Sequence, residues 1–133
     1  MSLLGVLSSV VQHERKLRAM VSVAGRVVRL EFDEVKQRVA DEGGDFLSIF
    51  DFIGPVTSLH LAKNLGMDVV KPDRYLVQIA ACTRYESAGE MCESISALTG
   101  EKLAVNDTAI WRLAATTPSY ESFFYDDADA VCA

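Results

Sequence analysis

The chain has 133 residues, half of them hydrophobic and 24% charged, a balance that excludes wholesale disorder and is enough for one domain with a single core. Its 19 Asp+Glu against 13 Lys+Arg give −6 at pH 7, which argues against a uniformly basic nucleic-acid binder. The charge is uneven, however: residues 116–133 hold Glu121, Asp126, Asp127 and Asp129 with no Lys or Arg, so the remainder carries −2 and leaves room for a locally basic face.

Leu3, Leu7, Val10, Val11, Leu17, Val21, Val27 and Val28 recur at near-helical spacing, so one long helix or two should open the chain, with Gly25 as the weak point. Asp33 is placed to cap the next helix, which turns Val35 and Val39 inward and ends at Gly43-Gly44; a short helix from Asp45 to Asp51 follows. Phe52-Ile53-Gly54-Pro55 reads as a turn in which Gly54 can take positive φ and Pro55 suits the first turn of a helix. That helix runs from Thr57 to Leu65, apolar at Leu59, Leu61, Ala62 and Leu65, and stops at Gly66. Proline disfavours the helical conformation at Lys71, so another helix begins near Pro72 or Asp73 and carries Leu76, Val77, Ile79 and Ala80 inward. Ser87 and Glu90 form a capping box for a helix ending between Leu98 and Gly100. Asn106 or Asp107 should cap a last helix through Ile110, Trp111 and Leu113. With no alternating strand pattern of useful length, the expected fold is all-α: a compact multi-helix domain over residues 1–116, then an acidic, aromatic tail over 117–133.

No apolar run approaches the ~20 residues needed to span a bilayer, and the start of the chain has no basic stretch ahead of its apolar residues. A soluble, cytoplasmic protein is expected, nucleoid-associated if bacterial. Cys82, Cys92 and Cys132 form no CxxC pair and read as reduced packing residues, with no metal site or disulfide framework.

The run from Phe50 to Tyr75, FDFIGPVTSLHLAKNLGMDVVKPDRY, resembles the helix-hairpin-helix/Gly-Pro-Asp superfamily of DNA glycosylases, the endonuclease III-like base-excision enzymes. Phe50, Ile53, Gly54, Pro55 and Thr57 match the family's hairpin, Ser58 replaces its Ala, and Asp73 in Val70-Lys71-Pro72-Asp73-Arg74 matches its aspartate. Val105 to Arg112 looks like the family's following helix pair, so the resemblance spans residues 10–115 or so. It implies a helix-hairpin-helix motif that holds double-stranded DNA through the backbone at Ile53, Gly54, Val56 and Thr57. It further implies that Lys71 and Arg74 reach phosphate, and that Asp73 is the catalytic carboxylate for hydrolysis of an N-glycosidic bond. The physics suits the motif: amides at a tight turn opening a helix grip phosphate without side-chain charge, and a carboxylate opposite stabilises a cationic sugar.

Val56 stands where lyase members carry their Schiff-base lysine, so the implied enzyme is monofunctional. Near the C-terminus the chain has only Cys132, so no iron–sulfur cluster and no other cofactor is expected. Phe52 replaces the first hairpin glycine and favours an alternative, a non-catalytic module that binds DNA or protein; a third option is a partner-binding helical protein without nucleic-acid contact. Beside these, Lys63 reads as a solvated helix-face lysine and His60 as a residue without catalytic duty. His13 with Arg15, Lys16 and Arg18 is a helix face or a basic patch for DNA; Tyr75 and Trp111 could line a base pocket, though Trp111, at helical spacing from Ile110 and Leu113, reads first as core. Tyr120, Phe123, Phe124 and Tyr125 look like a docking segment for a protein partner or for the chain's own surface.

Overall fold

A computed structural model describes residues 13–124; the expectations on Leu3, Leu7, Val10, Val11, Tyr125, Cys132 and the acids at 126–129 lie outside the described residues. Within that range the chain is all-helical, without a strand: α1 (Glu14–Leu30), α2 (Phe32–Glu42), α3 (Gly44–Leu47), α4 (Pro55–Asn64), α5 (Arg74–Cys82), α6 (Ala88–Thr99), α7 (Leu103–Thr116) and a 3-10 turn (Tyr120–Phe123). These divide into two units, Met1–Ala62 and Lys63–Ala133.

In the first unit α1 is one helix that continues through Gly25, because a single interior glycine costs only about 1 kcal/mol. His13 caps it, Nδ1 accepting from Lys16 N at 3.3 Å. The chain reverses at Glu31, whose φ is 62°, and α2 starts at once with Phe32. Asp33 is therefore already inside the first turn, where it favours the helix dipole, and is not the cap the spacing suggested. Val35 and Val39 are half-buried as expected. α2 closes at Gly43, whose amide donates to Val39 O at 3.0 Å, but Gly44 opens α3 instead of ending α2. A Cβ at Gly44 would come within 3.2 Å of Leu59 Cδ2, so the small residue lets α3 lie against α4. α3 lasts one turn and gives way to a tight loop well before Asp51; Phe46, Leu47 and Phe50 are buried there, with Phe46 and Phe50 edge to face at 5.4 Å.

Pro55 opens α4 as its fixed φ predicts. Ala62 is fully buried and Leu59 and Leu61 are half-buried, but Leu65 is exposed because the helix has already ended at Asn64; the stop is Gly66, at φ 94°.

The second unit has a core of Leu76, Ile79, Ala80, Ala88, Met91, Cys92, Ala114 and Tyr120. Asp73 caps α5, whose Leu76, Ile79 and Ala80 share one face; Val77 lies on the flank with Arg74 and Ala81 and is half exposed, contrary to its apolar character. Ser87 Oγ accepts from Glu90 N at 3.1 Å, while Glu90 Oε2 accepts from Glu86 N at 2.8 Å, one residue earlier than in the usual box. α6 ends at Gly100 in the left-handed region.

α7 begins at Leu103, three residues before the earlier of the two caps read from sequence, because Asp68 reaches over to accept from Ala104 N at 2.9 Å. Asn106 and Asp107 are consequently interior helix residues, and both are buried. Leu103, Asp107, Ile110 and Ala114 form the inward seam at i, i+4, i+7 and i+11. Trp111 and Leu113 fall outside it and are about 40% exposed (42% and 39%), so Trp111 is not the core residue its apolar neighbours suggested. Past Pro118, Tyr120 enters the core, meets Tyr75 edge to face at 5.6 Å and donates its hydroxyl to Gln78 Oε1 at 2.8 Å. Phe124 packs against the same core and Phe123 is exposed.

Candidate functional site

The turn before α4 and the loop before α5 hold the residues singled out from sequence. In the turn, Ile53 N closes on Phe50 O at 3.1 Å, and the left-handed residue is Phe52, with φ 67°, while Gly54 has ordinary φ. The expectation that Gly54 supplies the positive φ is thus corrected: the reversal is completed two residues earlier. For a residue with a Cβ that conformation costs about 1–2 kcal/mol. Gly54 is not demanded by crowding either, since a Cβ there would meet nothing within 4 Å.

The first backbone bond of α4 runs from Ser58 N to Gly54 O at 2.8 Å. Pro55 has no N–H, so the Val56 and Thr57 amides stand at the helix mouth with no acceptor among the described residues, and both residues are exposed. Ile53 is half-buried behind them and Gly54 is exposed.

α1 flanks this turn with cations. The Arg15 guanidinium carbon lies 5.5 Å from the Phe52 ring centroid, and that of Arg26 lies 5.4 Å from Phe50, with Arg26 Nη1 donating to Ile49 O at 2.9 Å. At 100° per residue, Arg15, Arg18, Arg26 and Arg29 fall within a sector of roughly 80°. Together with Lys16 they make five basic residues on α1 against the single acid Glu14, which pairs with Arg18 at 2.6 Å. In sequence only Arg15, Lys16 and Arg18 cluster; the signal that joins Arg26 and Arg29 to them is their helical register with Arg15 and Arg18.

In the loop before α5, Asp73 Oδ1 accepts from Tyr75 N at 3.0 Å and Leu76 N at 3.2 Å, and Oδ2 lies 3.5 Å from Lys71 Nζ. Arg74 is exposed; its guanidinium lies 4.7 Å over the Tyr75 ring and donates to the Tyr75 hydroxyl at 2.8 Å, which raises the arginine's pKa above its ordinary value.

This loop is pinned from α7. Asp107 accepts from Lys71 N at 2.5 Å and from Lys63 Nζ at 2.6 Å, and its carboxylate is essentially buried. Lys63, read from sequence as solvated, is a mostly buried ion-pair partner with 14% of its side chain exposed. The Cys92 thiol is pushed up to about 11 by burial and by the Asp107 charge, with Lys63 opposing. Asp107 is one of two cap candidates in sequence, with Asn106, and nothing in its own neighbourhood of sequence points to partners 36 and 44 residues away.

A cavity of about 330 Å³ opens beside Tyr75, walled by the end of α7 and Thr117 to Glu121; Asp73 is not among its lining residues. Among the described residues no three His, Cys, Asp or Glu side chains gather as a metal-binding group, and no helix is long and apolar enough to cross a membrane. Comparison of the chain with protein-family models, with curated proteins and with solved structures found no match.

Proposed function

We propose that this chain binds the sugar-phosphate backbone of DNA through the turn at Phe50 to Thr57 and the arginine-bearing face of α1, as the non-catalytic module that Phe52 favours over the glycosylase its resemblance implies. The observation that supports this reading is the meeting of two unpaired amides, at Val56 and Thr57, with a turn bracketed by Arg15 and Arg26. Amides at a helix mouth carry partial positive charge and hold phosphate oxygens, and flanking arginines add the salt-sensitive attraction that a chain of net charge −6 lacks overall.

A substitution separates binding from folding. Gly54 occupies open space without positive φ, so Gly54→Asp places a carboxylate where it accepts from the Val56 and Thr57 amides. The expected result is a more stable α4 and a loss of duplex binding, since the new carboxylate takes the phosphate's place. In a gel-shift or anisotropy titration, Arg15→Gln is expected to lower the salt slope by about one. Unchanged duplex binding by a folded Gly54→Asp protein would sink the proposal.

Base excision by Asp73 is the second reading, favoured by one observation: Oδ2 is not used by the helix amides and faces Lys71. It ranks below the first because Oδ1 is committed to capping. Incubation with a panel of damaged duplexes tests it against Asp73→Ser, which retains a capping oxygen. Base release by the wild type and none by the variant would promote the excision reading over the module.

A further inference from the structure

From the exposed ring of Phe52 we infer that the preferred ligand is a single strand whose base stacks on that ring, an inference that rests on the DNA-binding reading above. Phe52 combines two features that folding by itself does not favour. Its backbone is left-handed at φ 67°, where glycine or asparagine is the comfortable residue, and the residue is 54% exposed, so the ring adds little to the core. A large apolar side chain held in an unfavourable backbone conformation and turned to solvent is the profile of a contact residue.

The surroundings specify the contact's chemistry. Arg15 lies over the ring at 5.5 Å, and Arg26 holds the base of the same turn through Phe50 and the Ile49 carbonyl. Arg18 and Arg29 continue the same helix face along α1, about 21 Å from Arg15 to Arg29 at 1.5 Å per residue. An aromatic platform beside a run of arginines matches a strand with its phosphates along the cations and an unpaired base free to stack; in a duplex the bases are already stacked on one another. An acidic peptide would use the arginines but has no use for the platform.

The test uses the full chain and fluorescence anisotropy with two labelled probes of equal length, an oligo-dT strand and a mixed-sequence duplex, at low and moderate salt. The wild type is expected to bind the strand roughly tenfold more tightly than the duplex, the usual scale of one base stack. Phe52→Gly suits its left-handed position, so the variant folds, and it should lose that preference for the strand. Equal affinity for strand and duplex, or an unchanged strand affinity in Phe52→Gly, overturns the inference and leaves the duplex-binding reading in place. If neither probe binds at low salt, both fall together.

Discussion

Replacing Asp107 with asparagine removes the charge that Lys63 Nζ meets at 2.6 Å and puts an amide where Lys71 N donates. Asparagine can accept from one of these donors, but its own NH2 then faces the other. Breaking one side of a buried ion pair costs about 3–5 kcal/mol, and because Lys63 keeps 14% of its side chain in water the lower end applies, about 3 kcal/mol. Lys63→Met leaves the carboxylate, only 2% exposed, with the Lys71 amide alone, and belongs at the upper end, about 5 kcal/mol. The double variant Lys63→Met/Asp107→Leu removes both charges and orphans only the Lys71 amide, so it should cost about 2 kcal/mol, less than either single change. Trp111, the single tryptophan, sits on α7 four residues beyond Asp107 and reports the unfolding of this unit; urea titrations followed by its fluorescence give the three values. An Asp107→Asn cost under about 1 kcal/mol, or a double variant that costs the sum of the singles, would refute the buried-pair account.

Three further outcomes follow from named contacts. Cys92 holds its proton to about pH 11 in the folded state against an ordinary value near 9, so the folded chain binds the extra proton between those values. The stability present below pH 9 is then lost as pH rises through 11, by up to about 3 kcal/mol, and Cys92→Ala should flatten that decline in thermal melts taken from pH 8 to 11. Phe52→Gly should fall within about 1 kcal/mol of the wild type, relief of the left-handed strain offsetting the lost Arg15 contact, whereas Phe52→Val should cost about 1 kcal/mol or more because a β-branched residue resists positive φ. Tyr120→Phe removes the hydroxyl given to Gln78 while keeping the ring against Tyr75, and should cost about 1 kcal/mol by chemical denaturation; a value near that of Tyr120→Ala would mean the hydroxyl, not the ring, holds the 3-10 turn in place.

Much of the helical punctuation was legible because it is local. Gly66, Asp73, Ser87 and Gly100 each start or stop a helix through bonds to residues within four positions, and Pro55 starts one through its fixed φ, so the residue type and its neighbours suffice. Some errors fell where a distant group intervened, others where an unforeseen left-handed residue, Glu31 or Phe52, reset the local start of a helix or turn. The start of α7 moved at least four residues, because Asp68, 36 positions from Ala104, accepts from that first-turn amide. Leu65, Val77, Trp111 and Leu113 share the apolar character of their buried neighbours, and exposure was decided by where each helix ended and which face met the core. At the candidate site the resemblance singled out Gly54, Val56, Thr57 and Asp73, but not that the left-handed residue would be Phe52 or that Arg26 would reach the turn.

By itself the order of residues determined that this chain is helical and where most of its helices break, since capping, proline geometry and glycine stops act over one turn of backbone. Tertiary structure alone decided that Lys63 and Asp107 bury their charges together, that Lys71 is pinned from α7, and that the arginines of α1 stand over the phenyl rings of a turn more than twenty residues on. Those contacts exist only after segments far apart in sequence are brought within a few ångströms, and no local pattern encodes which distant partner will arrive.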